Sequence, residues 1–281
     1  MSNTPEPSNL PTSTSGPSEH DGSGEGSASV LLSLRGISKN FGAVQAIQNV
    51  NLDVVDGQVT ALIGDNGAGK SVLIKTISGI WAPSSGHIYW KGEEIHVHTP
   101  RNATDLGIAT VYQDLALCDN LDIVQNMYLG REETKFSMLD EIKMELATNQ
   151  LLKDLSVSTV KSVRQLVASL SGGQRQAIAV ARAVMRDSQL VILDEPTAAL
   201  GVSQTAQVLQ LIRTLSSRGI TVLVISHNLN DVFTVADRIA VMHLGTLCSS
   251  GPASNYDTAS AVELITTGHS SRVPPSLLTS S

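Results

Sequence analysis

Gly64-Asp65-Asn66-Gly67-Ala68-Gly69-Lys70-Ser71 decides how this chain is read. The stretch matches G-x-x-x-x-G-K-S, a phosphate-binding loop. Before it, the apolar run Val59-Thr60-Ala61-Leu62-Ile63 predicts a buried strand. After it, Val72-Leu73-Ile74-Lys75-Thr76-Ile77 has helical apolar spacing. Strand, loop and helix in that order are the context the motif requires. Glycines let backbone N–H groups turn inward around a polyphosphate. The helix start adds unpaired N–H groups and a positive dipole end. In such a cradle Lys70 is expected on the β- and γ-phosphates, and the Ser71 hydroxyl on Mg²⁺.

Farther along, Leu190-Val191-Ile192-Leu193-Asp194-Glu195 is an apolar strand that ends in two acids. Two carboxylates at the end of a buried strand are costly without a cation or a task. A Mg²⁺ contact suits Asp194. Glu195 is then placed to polarise the water that attacks a γ-phosphate. Between these motifs, Leu170-Ser171-Gly172-Gly173-Gln174 runs into another helix, with Ser171 at its cap. Taken alone, that stretch is equally a glycine-capped helix. Beside a phosphate loop it is a second anion-binding helix start. One nucleotide does not need two such loops from one chain. The economical reading is that Ser171–Gln174 meets the phosphate held by a partner's Gly64–Ser71 loop.

The 281 residues suffice for one large domain or two small ones. A formal net charge of −7 argues against a nucleic-acid binder with a broad basic surface. No stretch approaches the roughly 18 consecutive apolar residues of a membrane span. The first Lys or Arg is Arg35, so no signal peptide is expected. Cys118 and Cys248 give neither a disulfide framework nor metal spacing. His96-Val97-His98 alternates as a strand does and reads as surface.

Residues 1–29 are Ser-, Pro- and Gly-rich and predict a disordered tail. Short strands are expected at Val30–Leu34, Ile37–Phe41 and Val44–Val55, with a turn at Asp56-Gly57. They form an antiparallel subdomain beside a parallel core. Residues 114–170 have a helical texture, with helical spacing at Ile123–Leu129, Met138–Leu155 and Ser162–Leu166. From Ser171 the core resumes, with further buried strands at Gln189–Leu193 and Thr221–Ile225. Residues 268–281 predict a flexible tail.

Together these motifs resemble an ATP-binding subunit of an ABC transporter, over about Leu31 to Gly251. Gly64–Ser71 resembles the Walker A motif, Leu170–Gln174 the family signature and Leu190–Glu195 Walker B. Gln113 sits at the position of the Q-loop glutamine and His227 at that of the switch histidine. The resemblance implies an α/β fold: a P-loop NTPase (RecA-like) core with an antiparallel β subdomain and a helical ABC-specific subdomain. The cassette would occupy residues 30–267. It implies a homodimer that sandwiches two ATP molecules, each with Mg²⁺ held by Ser71, Asp194 and Gln113. Glu195, His227 and Gln113 would be the catalytic set. Phe41 falls where the family places an aromatic ring against adenine, although a core aromatic at a strand end reads nearly as well.

One departure stands out. After Glu195-Pro196-Thr197 the family pattern is Ser-Ala-Leu-Asp, and here it is Ala198-Ala199-Leu200-Gly201. Ala-Ala-Leu-Gly-Val resembles the subgroup that imports monosaccharides such as ribose, xylose and fructose. Gly130-Arg131-Glu132-Glu133 and Ser226-His227-Asn228-Leu229 do as well. The resemblance therefore implies a subunit on the cytoplasmic face of the membrane, working with transmembrane permease subunits and, indirectly, a sugar-binding protein. Alternative readings are a soluble non-transport ABC ATPase, or the same machinery for another solute.

Overall fold

The computed structural model describes Met1 and residues 29–157, 159–185 and 187–279. The expected tail over residues 1–29 lies almost wholly outside them. Two long strands come first, β1 (Val30–Phe41) and β2 (Val44–Val55), paired as an antiparallel hairpin. The sequence reading breaks the first of these at Arg35-Gly36. In the fold it continues as one strand, and the break appears as a shift of register between Leu34 and Ile37. The buried β3 (Val59–Gly64) then leads into α1 (Lys70–Ile77).

β4 (Ser85–Trp90), β5 (Glu93–Ile95), α2 (Pro100–Asp105) and β6 (Ile108–Val111) follow. The helical region contains α3 (Ile123–Tyr128), a small hairpin of β7 (Thr134–Lys135) with β8 (Met138–Leu139), and α4 (Glu141–Asp154). Helical spacing over 162–166 does not become a helix there. Instead Leu166 forms an isolated bridge to Asp122, and a short 3₁₀ turn covers Val167–Ser169.

The core resumes with α5 (Gly172–Val184), β9 (Leu190–Asp194), α6 (Val202–Ser217) and β10 (Thr221–Ile225). It closes with α7 (Leu229–Val235), β11 (Arg238–His243), β12 (Thr246–Pro252) and α8 (Thr258–Thr267).

Two larger sheets result. One is antiparallel in the order β2-β1-β4-β5. The other runs β12-β11-β3-β10-β9-β6, parallel throughout except for the β11–β12 hairpin. Alternation along β3 feeds two cores. Leu62 points into a cluster shared with Leu34, Ile47, Leu52 and Ile74, beneath the antiparallel sheet. Ala61 and Ile63 point into a cluster shared with Ile178, Ile212 and Leu264, beneath α5, α6 and α8. A parallel sheet covered on both faces explains why its strands read as continuous apolar runs.

The C-terminal residues depart from the expected flexible tail. Val273 is buried, Leu278 bridges Ser249, and the Thr279 N–H donates to the Cys248 carbonyl at 3.1 Å. The Leu277 carbonyl accepts from the Ser249 hydroxyl at 3.0 Å. Main-chain pairing along the free edge of β12 supplies the order that the polar composition does not suggest.

Candidate functional site

Central strands β3, β9 and β10 end at the same edge of the sheet, and the loop after β3, the acids at the end of β9 and Ile225 at the end of β10 line one cavity of about 560 Å³. Residues 65–72, Gln113, Asp194 and Glu195 all border it. The phosphate loop, the strand-end acids and Gln113 are therefore brought together on one cavity.

The loop is built by backbone that only glycine tolerates. Gly69 has φ +98°, and a Cβ there would lie 2.6 Å from Cγ2 of Ile47. At Gly64 a Cβ would lie 2.5 Å from the Met242 carbonyl oxygen. Main-chain bonds hold the loop from the other side: the Gly245 N–H donates to the Ala68 carbonyl at 3.1 Å, and the Gln48 N–H to the Gly245 carbonyl at 2.8 Å. Lys70 is buried and curls over its own loop. Its Nζ donates to the Gly64 carbonyl at 2.7 Å and to the Asp65 carbonyl at 3.0 Å. Burial lowers the Lys70 pKa, against the pull of Glu195, Asp65 and Asp194. Ser71 is exposed at the start of α1.

Burial and the neighbouring Glu195 charge raise the Asp194 pKa, while Lys70 and Lys75 oppose them. A carboxyl in that state favours a cation beside it. Asp194, the Ser71 hydroxyl and the Gln113 side chain offer oxygen donors on one cavity, which fits Mg²⁺. Mg²⁺ usually takes one or two carboxylates plus substrate phosphates, so a dedicated cage of acids is not required. Glu195 has φ +50°, and its Oε2 lies 2.8 Å from Nδ1 of His227. His227 is otherwise exposed.

Ser171 to Gln174 do not line this cavity. They form the N-terminus of α5, where the Ser171 hydroxyl accepts from the Gln174 N–H at 3.3 Å. In return, the Gln174 side chain accepts from the Ser171 N–H at 2.9 Å. Ser171 and Gly172 are exposed, whereas Gly173 is buried against Gln204. Arg175 braces the approach by an ion pair with Asp119 at 2.9 Å and hydrogen bonds to the Leu170 and Ala168 carbonyls. Phe41 does not line the cavity either. It sits on the β1–β2 turn, 41% exposed, edge-on to Trp81 at 4.7 Å between ring centroids. The cavity wall on that side comes from Val44, Gln45 and Ala46, with Leu244 and Gly245 beyond. The sequence reading misses these wall residues, because nothing in their own spacing marks them.

Comparison with known proteins agrees with this geometry. The family profile described as ABC transporter matches residues 47–198. The fructose import ATP-binding protein FrcA of Rhizobium meliloti is 45% identical over 244 residues, covering 84% of this chain and 94% of that protein. The xylose/arabinose import ATP-binding protein XylG of Sulfolobus acidocaldarius is 45% identical over 217 residues, covering 77% and 86%. A ribose import ATP-binding protein of Rubrobacter xylanophilus is 37% identical, and the chain covers 47% of its length. Among solved structures, a nucleotide-free ATP-binding cassette from an ABC transporter superposes with a TM-score of 0.70 at 27% identity, covering 79% of this chain and 91% of that one. A dimeric cassette in a post-hydrolysis state, bound to ADP and Pi, gives 0.66 at 25% identity, covering 79% and 99%. Phosphate loop, strand-end acids, fold and relatives converge: the chain belongs to the ABC transporter family, as one of its ATP-binding cassettes.

Proposed function

We propose that two copies of this chain close head to tail on two ATP molecules and drive uptake of a monosaccharide through separate membrane-spanning permease subunits. The observation that carries the reading is the separation of the two phosphate-binding helix starts. The α1 loop borders the cavity with both acids, while the exposed Ser171-Gly172 start of α5 does not line it. A second copy would supply that start across the cavity. The names of the fructose and xylose/arabinose relatives support a sugar as the solute. Among the described residues no helix is long and apolar enough to cross a membrane, so the translocation path would belong to other subunits.

In this reading the N–H groups of Asp65 to Ser71 cradle the phosphates and Lys70 neutralises them. Ser71, Asp194 and Gln113 would hold Mg²⁺, which would offset charge on the phosphate oxygens. Glu195 orients the attacking water and accepts its proton, and His227 steadies the γ-phosphate. Phe41, on the turn beside Val44, is the candidate platform for adenine. The chain would sit at the cytoplasmic face of the membrane.

The test is capture of a tagged Glu195→Gln chain from detergent-solubilised host membranes with ATP and Mg²⁺. Co-purification of a multi-span membrane protein and a sugar-binding protein supports uptake and narrows the solute. Ribosomal or DNA-repair proteins without a membrane partner would replace transport with a soluble ATPase role.

A further inference from the structure

Glu195 and His227 stand on loops that follow adjacent parallel strands, with Asp194 opposite Ile225 at the strand ends. The first loop is unusual in its backbone. Glu195 has φ +50° and Ala199 has φ +59°. Non-glycine residues stay in the left-handed region only where the surroundings hold them there. Two contacts near the strand ends do part of this. The Glu195 N–H donates to the Ile225 carbonyl at 3.0 Å, and its carboxylate meets His227. A third contact lies farther out, where the Thr197 hydroxyl donates to Oδ2 of Asp231 at 2.7 Å.

Asp231 is 8% exposed and stands in the first turn of α7, the helix that begins just after His227. Carboxylates are rarely so buried without a partner. Among the described residues no Lys, Arg or His reaches Asp231 within ion-pair distance, and Thr197 is its side-chain partner. The helix start favours its charge. The Glu195 loop and the His227 loop are thus joined twice, once by the reactive side chains and once behind them by Thr197 and Asp231.

We infer that Thr197 and Asp231 form a positioning pair that holds Glu195 and His227 in register for attack on the γ-phosphate. The inference rests on the assignment of Glu195 and His227 under the proposed function. Neither Thr197 nor Asp231 lines the nucleotide cavity, so both act through the loops they join.

Steady-state ATPase assays on the full chain test the pair, using Thr197→Val, Thr197→Ser, Asp231→Leu, Asp231→Asn and the double variant Thr197→Val/Asp231→Leu. Thr197→Val and Asp231→Leu should each lower kcat about tenfold while KM for ATP stays within about twofold. The double variant should fall no further than either single change, because one contact is removed in each. Thr197→Ser and Asp231→Asn keep the hydrogen bond and should stay within about threefold of the parent. Thermal melting and binding of a fluorescent ATP analogue check that fold and phosphate loop are intact. Parental kcat in Thr197→Val, a Thr197→Ser variant as poor as Thr197→Val, or losses that multiply in the double variant would overturn the pair. If Asp231→Leu fails to fold, the two Thr197 variants decide. Glu195→Gln separates the layers: a fully active Glu195→Gln removes the base assignment and the pair with it. An inactive Glu195→Gln beside a fully active Thr197→Val removes the pair alone.

Discussion

At Asp194 the fold stores a cost in a buried carboxyl beside a second acid. Its pKa is raised in the folded chain, chiefly by burial and then by Glu195. A folded carboxyl with a raised pKa binds more protons than the unfolded one between 3.8 and its folded value. Stability therefore falls as pH rises through that window, and the penalty is fully present above it. Asp194→Asn should stabilise the nucleotide-free chain at pH 7, read as a higher Tm than the parent. Its Tm advantage should shrink as pH drops towards 4, and its ATP hydrolysis should be lost. Lys70→Ala removes the buried ammonium that caps the loop carbonyls, and should weaken ATP binding at least about tenfold in calorimetry. These residues were legible because strong motifs mark them. Thr197 and Asp231 were not, since their partnership spans two loops and no local spacing reports it. Phe41 lies at the expected point of the chain, yet its ring turns to Trp81, a packing choice that depends on the end of α1.

Elements in the helical region are joined by a charged hub. Arg164 reaches Glu145 at 2.7 Å, Glu141 at 3.2 Å and Asp122 at 3.4 Å. These link α3, α4 and the segment that leads to Ser171. Such partly exposed pairs are individually weak, and a network is worth more than one pair. Arg164→Met should cost about 1 kcal/mol at low salt, and most of that difference in chemical denaturation should disappear near 1 M NaCl. The hub also explains a misreading. Val163 and Leu166 have helical spacing, but the Arg164 side-chain pairing, a turn closed by the Gln165 N–H on the Ser162 carbonyl and the bridge to Asp122 take the segment out of a helix. The hairpin of β7 and β8 was invisible for another reason. Its strands are two residues each, too short to alternate, and its turn uses Phe136 and Ser137 at positive φ, where Asn or Gly is the usual signal.

Across the whole molecule, the segment after α8 seals the outer edge of the larger sheet. Val273 is buried and Leu277 packs on Gly251. Ending the chain at Gly268 should lower Tm by about 4–8 °C, the equivalent of about 2 kcal/mol, while ATP affinity in calorimetry stays unchanged. The parallel core was legible from its apolar runs. The order of its strands was not, because pairing partners are set by crossovers rather than by any strand's own residues. That order has a consequence for biosynthesis. β3 is buried along all 6 residues, and its neighbours are β10 and β11. The Val59 N–H bonds the Asp237 carboxylate, 178 residues downstream. A ribosome adding about 5–20 residues per second leaves the nucleotide-binding strand unpartnered for about 10–35 s. Through that interval a newly made chain carries β3 with both of its ladder edges open, so its pairing partners arrive only late in synthesis.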